Sequence, residues 1–215
     1  MGLYLISSNV AKSGKTTLAT QMTQTLSNDQ KTILLDIDEK KSAYHWATQN
    51  SRQFDYEHLI FSEDDHTFLK NRIDQLKKYY QHIVIDADGK DTPALRSILM
   101  GTDKLIIPVK NLQQDFHLMN ELIQIAIAVK QINTDLQIYV VMNHQTTSLV
   151  QDQIDQQRSL LEELPIHFLN TLIYEDADYV TALQEGQHIW QLNQHAAEVF
   201  DQFMQELHET AWVDV

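Results

Sequence analysis

Lys15, Thr16 and Thr17 follow Gly14 in the stretch "SSNVAKSGKTT" (residues 7–17), and three carboxylates stand at the ends of apolar runs: Asp36 and Asp38 in "LLDID", Asp86 in "HIVIDAD". Glycine, lysine and two threonines at a helix start are the end of a phosphate-binding loop. Successive backbone N–H groups and the helix N-terminus converge there on an anion. Ala11, Lys12, Ser13 and Gly14 would line the loop. Lys15 would bridge β- and γ-phosphate oxygens, Thr16 would ligate Mg2+, and Thr17 would reach the α-phosphate. Asp36 and Asp38 are paired carboxylates that can hold Mg2+ through water and polarise an attacking water. Asp86 follows three β-branched residues, as a second-sphere magnesium aspartate does, and the role of Asp88 is open. Five residues before Gly14, where the general loop has a glycine, stands Asn9. Asn is one of the few other residues that enter the left-handed region at modest cost.

These residues need elements to position them. Short apolar runs at 3–7, 31–38, 56–61, 82–88, 104–109, 136–143 and 166–173 read as strands. Helix-period segments at 15–27, 64–80, 93–100, 114–132, 149–162, 176–185 and 194–209 lie between and after them. Strands apolar on both faces, alternating with helices, predict a doubly wound α/β fold. Its mostly parallel sheet is covered by helices on both faces, with right-handed crossovers. Ligands of such sheets bind outside the carboxyl ends of the strands. That edge collects residues 7–17, Asp36, Asp38, Asp86, Asp88, Pro108 and Asn143.

The 215 residues fit one domain over 1–215, with C-terminal helices near 176–209 packed on it. There is no cysteine, hence no disulfide or thiolate ligand, and the ten histidines form no HxxxH or HxH pair. The N-terminus lacks the basic and apolar regions of a signal peptide and is too short and polar to span a membrane, so a cytoplasmic protein is expected. The formal net charge is −14. Arg158 is the last basic residue, and eleven acidic residues follow it. The last helix carries Val199, Phe200, Phe203 and Leu207 on one face between acidic flanks, which predicts a core-facing stripe rather than a membrane-binding one.

The chain resembles the ParA/MinD family of deviant Walker ATPases, and within it the short ParA-type partition proteins, from Met1 to about Leu207. "SGKTT" resembles the end of the family's "KGGxGKTT". "LLDIDEKKSAYHWA" resembles its segment carrying Asp36, Asp38, Ser42 and Trp46. "HIVIDADG" resembles its Walker B strand through Asp86. "DKLIIPVKNLQQD" matches through Asp103, Pro108 and Asp115, and "VVMN" through Asn143. The resemblance implies a P-loop NTPase of the SIMIBI kind that binds ATP and Mg2+ and forms an ATP-dependent homodimer. It implies hydrolysis used to segregate plasmid or chromosomal DNA through a ParB-like or other cargo adaptor. It also implies non-specific DNA binding, nucleoid association and an adenine contact from Asn143.

Two departures stand out. The family's signature lysine falls on Val10, and the glycines after it are Ala11 and Lys12. Lys12 is the expected substitute, with Lys15 and Asp38 as the other catalytic residues. The C-terminal region also lacks the cations that DNA phosphates require. Lys70, Arg72, Lys77, Lys78, Lys90 and Arg96 remain as a mid-chain patch. The alternatives are a positioning ATPase for a non-DNA cargo (conjugation, pilus or microcompartment), a non-hydrolysing ATP switch, and a ligase resembling dethiobiotin synthetase.

Overall fold

The computed structural model describes residues 2–50, 54–60, 66–144, 155, 158–159, 161–174 and 177–209. In chain order the elements are β1 (Gly2–Ser8), α1 (Lys15–Ser27), β2 (Thr32–Asp36), α2 (Ser42–Asn50), β3 (Asp55–His58), α3 (His66–Leu76), β4 (His82–Asp88) and α4 (Pro93–Leu99). There follow β5 (Lys104–Val109), α5 (Leu112–Lys130), β6 (Gln137–His144), β7 (His167–Tyr174), α6 (Ala177–Glu185), a 3-10 turn (Ile189–Gln191) and α7 (Gln194–Glu209). The seven strands form one sheet in the order β3-β2-β4-β1-β5-β6-β7, and every pairing is parallel. This is the doubly wound α/β fold that the alternation predicts.

Side chains alternate across a strand, and both faces here are apolar. Leu3, Leu5, Ile83, Ile85, Leu105 and Ile107 pack with Leu69 and Ile73 of α3, Leu95 of α4 and Leu122 of α5. Tyr4, Ile6, Val84 and Ile106 pack with Leu18 and Met22 of α1, Trp46 of α2, Tyr179 of α6 and Phe200 and Phe203 of α7. Phe200, Phe203 and Leu207 are buried, so the apolar stripe of the last helix faces the core as expected; Val199 is only half-buried. Trp46 is a core residue, stacked on Phe54 with its indole N–H donating to the Ala182 carbonyl. Among the described residues, no helix is long and apolar enough to cross a membrane.

Some boundaries move for physical reasons. The strand expected over 31–38 ends at Asp36, because the Asp36 carboxylate accepts the backbone N–H groups of Asp38 and Tyr44 and turns the chain out of the sheet. The strand expected over 56–61 covers Asp55–His58. The helix expected over 64–80 ends at Leu76 and is described from His66, residues 64–65 lying outside the described residues. The helix expected over 149–162 lies mostly outside the described residues, of which Asp155, Arg158 and Ser159 are helical.

On β7 the register jumps from Val140↔Phe168 to Met142↔Leu172. The bulged backbone of Asn170 and Thr171 donates instead to the Glu206 carboxylate of α7, at 2.6 and 2.9 Å. One of the eleven acidic residues after Arg158 is therefore spent on the sheet edge.

Candidate nucleotide site

The loop after β1 folds back under the end of that strand. Ser7, Ser8, Val10 and Ser13 are buried, while Ala11 and Lys12 are exposed at its apex. Its left-handed residues are Lys12 (φ 57) and Gly14 (φ 94). Asn9 does not take that conformation, contrary to the expectation from its type. It acts through its side chain, whose Nδ2 donates to the Leu118 carbonyl of α5 at 3.3 Å. The left-handed position passes to Lys12, where a side chain costs about 1–2 kcal/mol over glycine. Val10 is 6 % exposed, and its N–H donates to the Ser8 hydroxyl at 3.1 Å, so its side chain belongs to the core.

Gly14 is required twice over. Its φ of 94° suits glycine, and a Cβ there would lie 1.9 Å from the Asn143 Nδ2. Asn143, the last residue but one of β6, is 9 % exposed, and its Nδ2 donates to the Ser13 carbonyl at 2.7 Å. The resemblance gives this residue an adenine contact; in the structure its amide nitrogen pins the loop. The Leu18 N–H donates to the Gly14 carbonyl at 2.9 Å. The helix therefore starts beyond Gly14, and the amides of its first turn need acceptors from outside.

The Thr16 hydroxyl donates to Asp86 Oδ2 at 2.7 Å. Asp86 is fully buried, and burial first, then the Asp36 charge, raises its carboxyl to about 7; Thr16 and Lys15 oppose the rise. Its other oxygen, Oδ1, is buried with no hydrogen-bond partner among the described residues. A buried carboxylate with one free oxygen beside a threonine hydroxyl is an oxygen donor set that suits a hard divalent cation such as Mg2+. The fit rests on Thr16 and Asp86.

Asp36 stands in register with Asp86 across β2 and β4 and is also fully buried, with its carboxyl raised chiefly by desolvation. Oδ1 accepts the Asp38 N–H at 3.0 Å and Oδ2 the Tyr44 N–H at 2.8 Å. Asp36 thus ties the start of the 37–41 loop to the first turn of α2, which follows it. Asp38 is half-buried on that loop, with Oδ1 accepting the Lys40 N–H at 2.9 Å. Lys15 and Thr17 are half-buried at the start of α1.

Sequence reasoning missed Gly89. A Cβ on it would sit 2.3 Å from Asn9 Oδ1 and 2.6 Å from the Asn9 nitrogen, so only glycine lets the end of β4 lie against the loop. A glycine directly after a strand end, in a chain with five glycines, was the available signal. Asp88 is exposed; its Oδ1 accepts the Gly89 N–H at 2.7 Å and its Oδ2 pairs with Lys90 at 3.4 Å. Asp103 and Asp115, matched by the resemblance, organise the backbone. Asp103 accepts from Leu3 at 2.7 Å, and Asp115 accepts from Asn111 at 2.9 Å.

The model of the CobQ/CobB/MinD/ParA nucleotide binding domain matches residues 5–189. The chain belongs to that family. It is 23% identical over 197 residues to the maintenance of carboxysome distribution protein A of Halothiobacillus neapolitanus, covering 91% of this chain and 90% of that one. Its fold is that of the apo McdA of Cyanothece (TM-score 0.78, 16% identity, 96% of this chain and 99% of that one). A plasmid partition protein of Borrelia burgdorferi B31 bound to AMPPNP is equally similar (TM-score 0.78, 16% identity, 98% and 99%). The loop, the Thr16–Asp86 pair and the Asp36–Asp38 segment lie together at the carboxyl edge of the sheet.

Proposed function

We propose that the chain is a cytoplasmic ATPase that binds Mg-ATP at this site, dimerises on it and uses hydrolysis to position a cargo through an adaptor protein. The observation that carries this reading is the Thr16–Asp86 hydrogen bond beneath the loop, with the second Asp86 oxygen left for a cation. Ala11, Lys12, Ser13 and Gly14 wrap the phosphates, Lys15 and Thr17 contact them, and Asn143 fixes the loop. Mg2+ held by Thr16 and Asp86, with Asp36 behind them, would neutralise charge on the phosphate oxygens. Asp38 orients the attacking water. Lys12, exposed at the apex, takes over the charge that Val10 cannot carry.

The cargo this reading assigns is a body other than DNA, and the relative named for carboxysome distribution supports it. Electrostatics support it too. Four of the six mid-chain cations are paired, Lys70 with Asp74, Arg72 with Glu57, Lys90 with Asp88 and Arg96 with Asp91, while Lys77 donates to the Gly101 carbonyl and Lys78 is exposed. The four paired cations have less charge to offer DNA phosphates. The second reading, DNA segregation with ParB-like partners and nucleoid association, draws on the likeness to the Borrelia partition protein. Binding to non-specific duplex DNA at low salt, with Mg-ATP and with Mg-ADP, decides between them. No retention in either state is expected. Retention with ATP alone, lost as salt rises, would restore DNA segregation.

A further inference from the structure

The loop bearing Asp38 lies between Asp36, the last residue of β2, and the first turn of α2 with Tyr44, and one side chain outside it stands beside both residues. His58 is the last residue of β3. It stands in register with Asp36, which stands in register with Asp86. Parallel strands in register project such residues to the same face, so His58, Asp36 and Asp86 form a row across three strands. The His58 ring lies 5.9 Å from the Tyr44 ring, and Tyr56, two residues earlier on β3, packs on Tyr44 at 5.5 Å. The strand also holds Asp36 from its backbone side, since the Leu59 N–H donates to the Asp36 carbonyl at 3.0 Å.

We infer that His58 is a positioning residue for hydrolysis: it clamps Asp36 and Tyr44, on either side of the loop that carries Asp38. Asp36 closes the loop by accepting the Asp38 and Tyr44 amides, yet its neighbour in the row, Asp86, is another carboxylate. The imidazole stands on the opposite side of Asp36 and packs against the ring of Tyr44, whose amide Asp36 holds. Its Nε2 is buried without a hydrogen-bond partner among the described residues, so ring packing and proximity to Asp36 carry the clamp. β3 is an edge strand, fastened from outside by the Arg72–Glu57 pair at 2.5 Å and the Tyr80–Asp55 hydrogen bond at 2.7 Å. The clamp therefore stands on a braced strand. The inference rests on the reading of Asp38 as the water-orienting residue only for its kinetic consequence.

Amide hydrogen exchange of the nucleotide-free full chain tests the clamp directly. His58→Ala should speed exchange at Asp38 and Tyr44 by about tenfold and leave the Gly14–Leu18 amides unchanged. His58→Phe keeps a ring against Tyr44 without the imidazole and should fall between. Unchanged loop exchange in His58→Ala would overturn the inference, as would a uniform rise across the sheet, which marks a merely structural residue. In phosphate-release assays His58→Ala should lower kcat by about tenfold with KM for ATP within about twofold of wild type. A kcat within twofold of wild type, with Asp38→Ala inactive, would overturn the clamp and leave the Asp38 role standing. Wild-type turnover that survives Asp38→Ala would overturn that role, with the exchange result still judging the clamp.

Discussion

The Thr16 hydroxyl donates to Asp86 across 2.7 Å, joining the first turn of α1 to the end of β4. Residues 70 apart in sequence thus meet in one oxygen-rich point under the loop. Burial holds the Asp86 carboxyl up to about 7, against 3.8 for an ordinary aspartate. The folded chain therefore keeps this proton over a range where the unfolded chain has lost it. Stability from this group is full below pH 3.8 and is lost as pH rises through about 7.

Above that point the ionised Asp86 strains the nucleotide-free protein. Asp86→Asn keeps an acceptor for Thr16 and removes the charge. At pH 8, thermal unfolding should show the nucleotide-free variant more stable than wild type by about 1–2 kcal/mol, or about 3–6 °C. The same variant should lose the added stabilisation that Mg2+ gives with ATP.

Lys12 can be tested without confusing charge and backbone. Lys12→Gly suits the φ of 57° and should stay within about 1 kcal/mol of wild type in stability. Lys12→Ala retains the strained conformation. Both should lower ATP turnover by about tenfold or more, with ATP affinity of the monomer little changed. Turnover equal to wild type in Lys12→Gly would remove Lys12 from the mechanism.

Gly14 and Asn143 are fitted to each other. Gly14→Ala would drive a Cβ to 1.9 Å from the Asn143 amide at a φ of 94° and should abolish ATP binding, measured by titration calorimetry. Asn143→Ala removes the bond to the Ser13 carbonyl and should cost about 1–2 kcal/mol of stability, with ATP affinity reduced about tenfold.

His188 supplies a pH dependence of opposite sign. It is buried, its Nδ1 accepts the Trp190 N–H at 3.1 Å, and its Nε2 lies 3.2 Å from the Thr25 hydroxyl. Burial lowers its pKa from 6.5 to about 4. The unfolded chain then takes the proton first, so stability is full above 6.5 and is lost as pH falls from 6.5 toward 4. His188→Asn keeps a capping acceptor and removes this contribution, so as pH falls from 6.5 to 4.5 its melting temperature should rise relative to that of wild type, in which the opposite slope from Asp86 offsets the loss.

The parts of this site set by local chemistry were legible in the sequence. Alternating apolar runs gave the strands, and the phosphate loop, Asp86 and Asn143 fell at their carboxyl ends, where a parallel sheet puts its ligands. The conformation of the loop was not legible. Asn9 had the residue type for a left-handed turn, but its side chain reaches α5, and the less suited Lys12 takes the strain. Gly89 and His58 were missed for a related reason. The importance of each comes from a partner on a neighbouring strand or loop, Asn9 for one and Asp36 for the other, and strand register does not show in single-sequence patterns. The same holds for Glu206, whose charge reads as a solvated helix face but serves the β7 bulge.

Phosphate release from Mg-ATP by the full chain, run beside Asp38→Ala with ATP binding measured on both, tests the central claim most directly. The account predicts slow but measurable release by wild type, and none by a variant that still binds ATP. Binding without release in wild type would make the chain a nucleotide switch, and equal release by both proteins would contradict the role given to Asp38.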